Sequence, residues 1–298
     1  MAILDRPFVG SEAIERGLVR KHELRSRYRS VFPEIYVSND VELTLHDRAK
    51  AGWLWSHRQG IIAGLTASAL HGAKWVDDLA PVELVWPNAR PATGLRTYDY
   101  RLRTDEFDEL DGMGVTTVAR TGFDIARRRP LDAAVANLDA LGNATGLSAH
   151  GVLRIARNHR GSRGLRQLAK VLDLYDAGAA SPKETWLRLV VIRAGYPRPR
   201  TQIPVVSRDG RRRYYLDMGW EDMMLALEYD GEQHRVDPVI YAYDIQRSDD
   251  LDELGWTRLR VVKANTAADV FRRLDRAWRS KLREIAESGE SVICQQTR

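Results

Sequence analysis

Residues 214 to 234 read Tyr-Tyr-Leu-Asp-Met-Gly-Trp-Glu-Asp-Met-Met-Leu-Ala-Leu-Glu-Tyr-Asp-Gly-Glu-Gln-His. Two β-forming runs, Tyr214 to Trp220 and Met223 to Tyr229, are separated only by Glu221 and Asp222, the pattern of two antiparallel strands joined by a tight turn. With that turn centred near Asp222 and Met223, Asp217 falls opposite Glu228. Opposed side chains in such a pair have Cβ atoms about 4.5–5.5 Å apart. Two carboxylates that close repel each other unless a cation lies between them. Asp230 shares the side of Glu228, two residues on, and His234 follows the turn Gly231-Glu232-Gln233. Oxygen ligands of this kind suit Mg²⁺, with Mn²⁺ as a substitute.

Upstream, Ser181-Pro182-Lys183-Glu184 is a capping box with Pro at the first helical position, opening a helix that runs to Ala194 and stops at Gly195. Thr201 to Val206 is a strand, and Asp209-Gly210 marks a hairpin turn. Downstream come a helix over Tyr241 to Leu254, a strand over Trp256 to Val262 and a last helix over Ala268 to Ile285. The order is α-β-β-β-α-β-α. Glu184 on the first helix and His234 after the turn then converge on Asp217, Glu228 and Asp230. Each residue also has a plain structural explanation. Glu184 is the third member of a capping box, Asp230-Gly231 is an ordinary turn pair, and Asp244, Arg247 and Asp250 suit ion pairs on a helix surface. Glu228 resists most, because it ends an apolar strand where an unpaired carboxylate is costly.

The small-residue stretch from Asp176 to Ser181 is the expected domain boundary. Before it, helices are expected over Ser11 to Arg16 and Lys21 to Arg29, followed by a β-rich run, Val31 to Val37, interrupted by Pro33. Helix, helix, β-ribbon is the order of a small winged-helix unit. Its second helix carries Lys21, Arg25, Arg27 and Arg29. Helices are also expected over 43–56 and 64–72, as a pair broken by Pro130 over 124–141, from a Ser148 cap to Arg157, and over 165–174. Strands are expected at Val82 to Trp86, Tyr98 to Leu102 and Val115 to Val118. The fold class is thus α/β (α+β), divided as a winged-helix-like unit (1–60), a mixed α/β middle region (61–178) and a C-terminal domain (179–298).

The 298 residues carry a net charge of +5, from 46 basic and 41 acidic residues, which permits a nucleic-acid partner without demanding one. An apolar content of 44% with eight Trp fills ordinary cores and excludes a disordered chain. A single cysteine, Cys294, excludes an internal disulfide framework and a multi-cysteine metal site. No apolar run approaches the roughly 20 residues of a membrane helix, and no signal peptide opens the chain, so the expected location is the cytoplasm. A homodimer on a palindromic site and a lone protomer are both compatible with these features.

Residues 181 to 262 resemble a PD-(D/E)XK endonuclease of the very-short-patch-repair-like (DUF559) branch. The resemblance rests on Ser181-Pro-Lys-Glu184, Ala194-Gly-Tyr-Pro197, Gln202-Ile-Pro-Val205, Tyr215-Leu-Asp217 and Leu227-Glu-Tyr-Asp-Gly-Glu-Gln-His234. It continues through Asp244, Arg247, Asp250, Leu254-Gly-Trp256 and Arg260-Val261. It implies a restriction-endonuclease-like fold and metal-dependent phosphodiester hydrolysis. Asp217 and Glu228 would hold Mg²⁺, Glu184 would complete the site directly or through water, and His234 would act as acid/base or orient the attacking water. Asp230 would take part at the position of the usual lysine, which is absent. Gln202, Arg247 and Asp250 would support the site. Ala13 to Val37 resembles the winged helix of AbiEi-type antitoxin regulators, through Ala13-Ile-Glu-Arg-Gly17, Leu24-Arg-Ser-Arg27 and Val31-Phe-Pro-Glu-Ile-Tyr-Val37, and Leu65 to Gly72 resembles the helix that follows in them. In such regulators the winged helix binds DNA, which implies DNA contacts for Lys21, Arg25, Arg27 and Arg29.

Three functions follow: a Mg²⁺-dependent DNA endonuclease of defence, toxin–antitoxin or repair systems; a non-catalytic AbiEi-like transcriptional regulator with a degenerate nuclease fold; and a protein-interaction module to which DNA is irrelevant.

Overall fold

The computed structural model describes residues 4–231 and 238–296, the side chains of 238–241 and 288–296 excepted. The chain is mixed α/β and divides into two compact units, Met1–Ala177 and Gly178–Arg298.

The first unit opens with β1 (Phe8–Val9), α1 (Gly10–Glu15), α2 (Glu23–Ser26), β2 (Tyr28–Phe32) and β3 (Ile35–Ser38). These strands form a sheet in the order β1-β3-β2. Pro33 and Glu34 turn the β2–β3 hairpin, Glu34 at φ +66°, so the interrupted β-rich run folds as two paired strands. The helix expected over Lys21 to Arg29 is shorter. It is the single turn α2, because the chain straightens at Tyr28 to pair with β3, and Arg29 therefore lies on a strand.

Next come α3 (Leu45–Trp55), β4 (Ile61–Ile62), α4 (Gly64–Leu70), β5 (Val82–Val85), β6 (Leu95–Tyr98), β7 (Phe107–Leu110) and β8 (Met113–Thr116). Their strands form a five-stranded sheet in the order β6-β5-β4-β8-β7. The strand expected at Tyr98 to Leu102 starts and ends earlier, since β6 is fixed by its parallel register with β5, Val82 against Leu95 and Val85 against Tyr98. Helix α3 starts at a complete capping box, Thr44 with Asp47, and rests close on this sheet at Gly52. A Cβ there would lie 3.0 Å from Val82 Cγ1 and 3.2 Å from Leu95 Cδ2. Phe32 and Ile35 share one apolar core with Ala49, Leu54, Ile62, Val82, Leu84 and Val115, so no break between cores falls at residue 60. The unit ends in helices α5 (Val118–Arg128), α6 (Leu131–Thr145), α7 (Ala149–Asn158) and α8 (Leu165–Leu174). Pro130 separates α5 from α6, and Ser148 caps α7.

The second unit runs α9 (Pro182–Arg193), β9 (Arg200–Val206), β10 (Arg213–Trp220), β11 (Leu225–Tyr229), α10 (Pro238–Glu253), β12 (Thr257–Val261) and α11 (Ala267–Gln296). Its sheet has the order β12-β11-β10-β9, with β11 and β12 parallel and the other pairs antiparallel. Leu187 and Val191 of α9, Met218 and Trp220 of β10, Leu225 and Leu227 of β11, and Val270 and Leu274 of α11 make one core. Ile203, Val205, Tyr214, Leu216, Ala226 and Leu251 make another. The apolar side of β10 therefore changes layer between Leu216 and Met218, which is where Asp217 sits. Across from Asp217 in the β9–β10 register, Gln202 holds φ +48°, a conformation that costs a non-glycine residue energy. Gly219 is needed beside it: a Cβ there would lie 2.4 Å from the carbonyl oxygen of Leu225. Among the described residues no helix is long and apolar enough to cross a membrane.

Candidate functional site

The β10–β11 register pairs Met218 with Leu227, and one step further Asp217 lies beside Glu228. Asp217 Oδ2 accepts the backbone N–H of Tyr229 at 2.7 Å, which fixes the carboxylate against the neighbouring strand. Glu228 is 6% exposed. Its Oε1 accepts a hydrogen bond from Arg247 of α10, and Arg258 of β12 stands 3.8 Å from Oε2. Among the described residues Oε2 has no hydrogen-bond partner, although it is cut off from water. Burial raises the Asp217 carboxyl, and the like charges of Glu184 and Glu228 add to this. The Tyr229 N–H and Arg247 oppose them, and the group is pushed up to about 7. Burial and two neighbouring acids thus outweigh the groups that favour charge on Asp217.

Asp217, Glu228, Tyr229, Asp230, Gly231, Asp244, Arg247 and Arg260 line an open cavity of about 260 Å³ beside it. Asp230 and Arg247, both expected here from sequence, are thus at the site. Glu184 is near enough to act on Asp217 electrostatically, but its oxygens are engaged at the helix start. Oε1 accepts from Ser181 Oγ at 2.9 Å, and Oε2 accepts from the Ala180 N–H at 2.9 Å. Half of the expected capping box is formed, Ser181 Oγ accepting from the Glu184 N–H, while the Glu184 carboxylate reaches the Ala180 N–H and the Ser181 hydroxyl rather than the Ser181 N–H. Asp250 is turned away from the cavity: it accepts from the Tyr214 hydroxyl at 2.6 Å and from Gln246 at 3.1 Å, and it pairs with Arg212 at 3.2 Å. It ties α10 to β10. Gln202 contributes its backbone bend. His234 lies outside the described residues. Among the described residues no group of three or more His, Cys, Asp or Glu is placed to hold a metal ion. A donor set of two adjacent carboxylates suits a hard cation that keeps much of its water shell.

Asp244, expected from sequence as part of the resemblance, lines the cavity; Arg258 was not expected at the site. Arg258 is recognisable once β12 is paired in parallel with β11, which sets it across from Ala226 and next to the Glu228–Arg260 pair. Sequence reasoning also passed over a second charged cluster, in the first unit. Arg120 of α5 is 1% exposed and bonds both Glu106 and Asp124. Glu106 also pairs with His159, and Asp124 with Arg127 at 2.8 Å and Arg128 at 3.3 Å. The Arg120 guanidinium lies 4.7 Å from the Tyr100 ring centre. Burial disfavours charge on Asp124, but Arg128, Arg120 and Arg127 outweigh it and hold the carboxyl below its ordinary value.

Lys21, Arg25, Arg27 and Arg29 are exposed. Arg27 lies 3.6 Å from Glu23, and Arg29 donates to the carbonyl of Val41 at 2.7 Å. Lys21 precedes α2 and Arg25 is on it.

The fold and the site define a mixed α/β protein of two units, the second carrying a buried, under-neutralised carboxylate pair at an open cavity. No family model matches the chain. Two Mycobacterium tuberculosis proteins are similar to it, "Uncharacterized protein MT2308" of strain CDC 1551 / Oshkosh and "Uncharacterized protein Rv2248" of strain ATCC 25618 / H37Rv. Each is 30% identical over 221 residues, 71% of this chain and 80% of that protein. The chain belongs to the family of these two proteins.

Proposed function

We propose that the protein is a DNA-binding, Mg²⁺-dependent DNA endonuclease, its second unit a PD-(D/E)XK-type domain of the very-short-patch-repair-like branch. The observation that carries this reading is the Asp217–Glu228 pair: one carboxyl pushed up to about 7, the other with a buried oxygen that has no hydrogen-bond partner among the described residues. Asp217 Oδ1 and Glu228 Oε2 are the oxygens that would hold the cation, since Asp217 Oδ2 and Glu228 Oε1 already accept from Tyr229 and Arg247. A bound Mg²⁺ supplies charge stabilisation at the phosphate and acidifies its water. Arg247 and Arg260 line the cavity and present guanidinium groups to a phosphodiester. Asp230 at the cavity wall is a carboxylate within reach of water there. Burial, with the charge of Glu184 added, holds Asp217 above the ordinary carboxylate range. A role for His234 rests on the resemblance alone. The α1–α2–β2–β3 segment, with exposed Lys21 and Arg25, is read as a winged-helix-like DNA-binding element. Its one-turn α2 gives it less helix to lay in a groove than a full recognition helix would have. The setting would be defence, toxin–antitoxin or repair biology.

One observation favours a second reading. Arg247 and Arg258 already flank Glu228, an arrangement that also suits a degenerate nuclease fold in a non-catalytic regulator. Incubation of the full chain with supercoiled plasmid in Mg²⁺, Mn²⁺ or EDTA, beside Asp217→Ala and Glu228→Ala, separates the two. The nuclease reading expects nicking by the wild type with either cation, none in EDTA, and at least about a 100-fold loss in both variants. Equal nicking by all three proteins, or none by any, contradicts it.

A further inference from the structure

The hairpin that leads into the carboxylate centre has one covered side and one bare side. Ile203, Val205, Tyr214 and Leu216 are buried in a core. Between them, Pro204, Val206, Arg213 and Tyr215 are exposed, Val206 by 44% and Tyr215 by 51%. The register sets Tyr215 across from Pro204 and Arg213 across from Val206, so these four side chains form one continuous strip. At its far end the turn between β9 and β10 carries Arg208, Arg211 and Arg212. Arg212 is turned inward to Asp250. Among the described residues Arg211, with a side chain 86% exposed, pairs only with Asp209 at 4.0 Å, and Arg213 makes no ion pair. At its near end the strip is tied to the centre: the guanidinium that bonds Glu228 also donates to the Tyr215 carbonyl at 2.9 Å. Extended chain advances about 3.3 Å per residue, so Tyr215 stands one two-residue step from Asp217, and Arg213 two.

We infer that this bare side of the β9–β10 hairpin is a track for a single DNA strand with unpaired bases, Tyr215 stacking on a base and Arg213 and Arg211 contacting phosphates. The inference rests on the endonuclease reading of the same site and adds its substrate class. An exposed ring beside a strand arginine, with a further arginine in the turn beyond, matches how unpaired nucleic acid is held, by stacking plus backbone charge. Base pairs stacked inside a duplex offer no such face to Tyr215 and would meet only the arginines. Addition of a protein strand to the β9 edge fits less well, since Pro204 stands mid-edge and proline blunts strand pairing.

The test uses the full chain in EDTA, so that binding is measured without cleavage. Fluorescence anisotropy compares a labelled oligothymidylate with a duplex of equal length. A 5-bromodeoxyuridine oligonucleotide is photo-crosslinked and the attached peptide mapped. Tyr215→Ala is expected to weaken single-strand binding about 5- to 100-fold and duplex binding less than twofold, while Tyr215→Phe retains single-strand binding. Arg211→Ala/Arg213→Ala should reduce the slope of log Kd against log salt by about 1.4, the value for two phosphates on a single strand. The wild-type crosslink should map to the peptide holding Tyr215. Unchanged single-strand affinity in Tyr215→Ala, or a crosslink confined to residues outside 200–217, overturns the track. If plasmid nicking survives that result, the nuclease reading stands without it. If Tyr215-dependent binding is found in a chain that nicks with neither cation, the track stands and the cleavage reading falls.

Discussion

The two units each bury a cluster of acids and arginines, and the clusters differ in how the charge is balanced. Around Asp124 and Glu106, three arginines and His159 surround two carboxylates, and Asp124 stays ionised below its ordinary range despite burial. Around Asp217 and Glu228, two arginines approach one of the carboxylates, a third acid adds its field, and Asp217 is pushed up to about 7. A cluster whose own cations match its acids is complete as folded and serves to hold helices and loops together. A cluster short of positive charge at the edge of a cavity has a use for a cation from outside. Residue type does not separate the two cases; charge balance does.

The first cluster should break hardest. Removing Arg120 leaves Glu106 and Asp124 buried with less compensation, a loss of about 3–5 kcal/mol for a broken buried pair. Arg120→Ala should therefore lower protection from hydrogen exchange throughout the first unit, with little change in the second. Equal loss in both units, or in neither, would remove the distinction between them.

The second cluster should respond in the opposite sense. The folded Asp217 carboxyl, near 7, lies above its ordinary 3.8. Its contribution to stability is fully present below about pH 4 and is lost as pH rises through 7. In EDTA, Asp217→Asn should stabilise the second unit at pH 8 by on the order of 1–3 kcal/mol, at about 1.4 kcal/mol per pKa unit reduced by solvent at the cavity. The gain should shrink towards pH 4. A gain that is constant with pH would show that Asp217 is not strained by its neighbours. Asp124 has the reverse sign: it supports the fold above its ordinary value near 3.8, and that support is lost as pH falls below it.

Smaller effects refine the contrast. Millimolar Mg²⁺ at pH 8 should stabilise the wild type by about 1 kcal/mol if the cation is some fivefold above its dissociation constant. Asp217→Asn should show no such gain in a thermal melt, whereas Arg120→Lys should keep it. Smallest is the N-terminal contribution to DNA binding. Lys21→Ala/Arg25→Ala should lower the duplex salt slope by about 1.8, two phosphates' worth, in an anisotropy titration. An unchanged slope would leave those side chains as a solvated surface.

Much of the second unit was legible because its signals are local. The Ser181 cap and the Asp209-Gly210 turn each fix an element within a few residues, and the Asp217–Glu228 juxtaposition follows from register; the strand expected from Met223 begins later, at Leu225, because Met224 takes φ +46° and the turn spans the four residues Glu221 to Met224. Arg258 was not legible, since its approach to Glu228 requires the parallel pairing of β11 with β12 across the whole of α10. Glu184 was legible at the start of its helix, where its oxygens accept from Ser181 Oγ and the Ala180 N–H. In the first unit, Arg120 and Asp124 look like any surface pair four residues apart on a helix. Their burial depends on Glu106 and His159, 14 and 39 residues from Arg120, and no local pattern announces that. The helix through Lys21 to Arg29 was overextended because Arg and Ser tolerate helix, while the pairing of Tyr28 with Ser38 decides otherwise.

The central claim is the proposal that the oxygens of Asp217 and Glu228 are arranged to take a cation. Titration of the full chain with Mn²⁺ at pH 8, followed by electron paramagnetic resonance of the free ion, measures it directly. The prediction is one saturable site per chain, displaced by Mg²⁺ and lost in both Asp217→Asn and Glu228→Gln. No saturable site, or one that survives both substitutions, would contradict it.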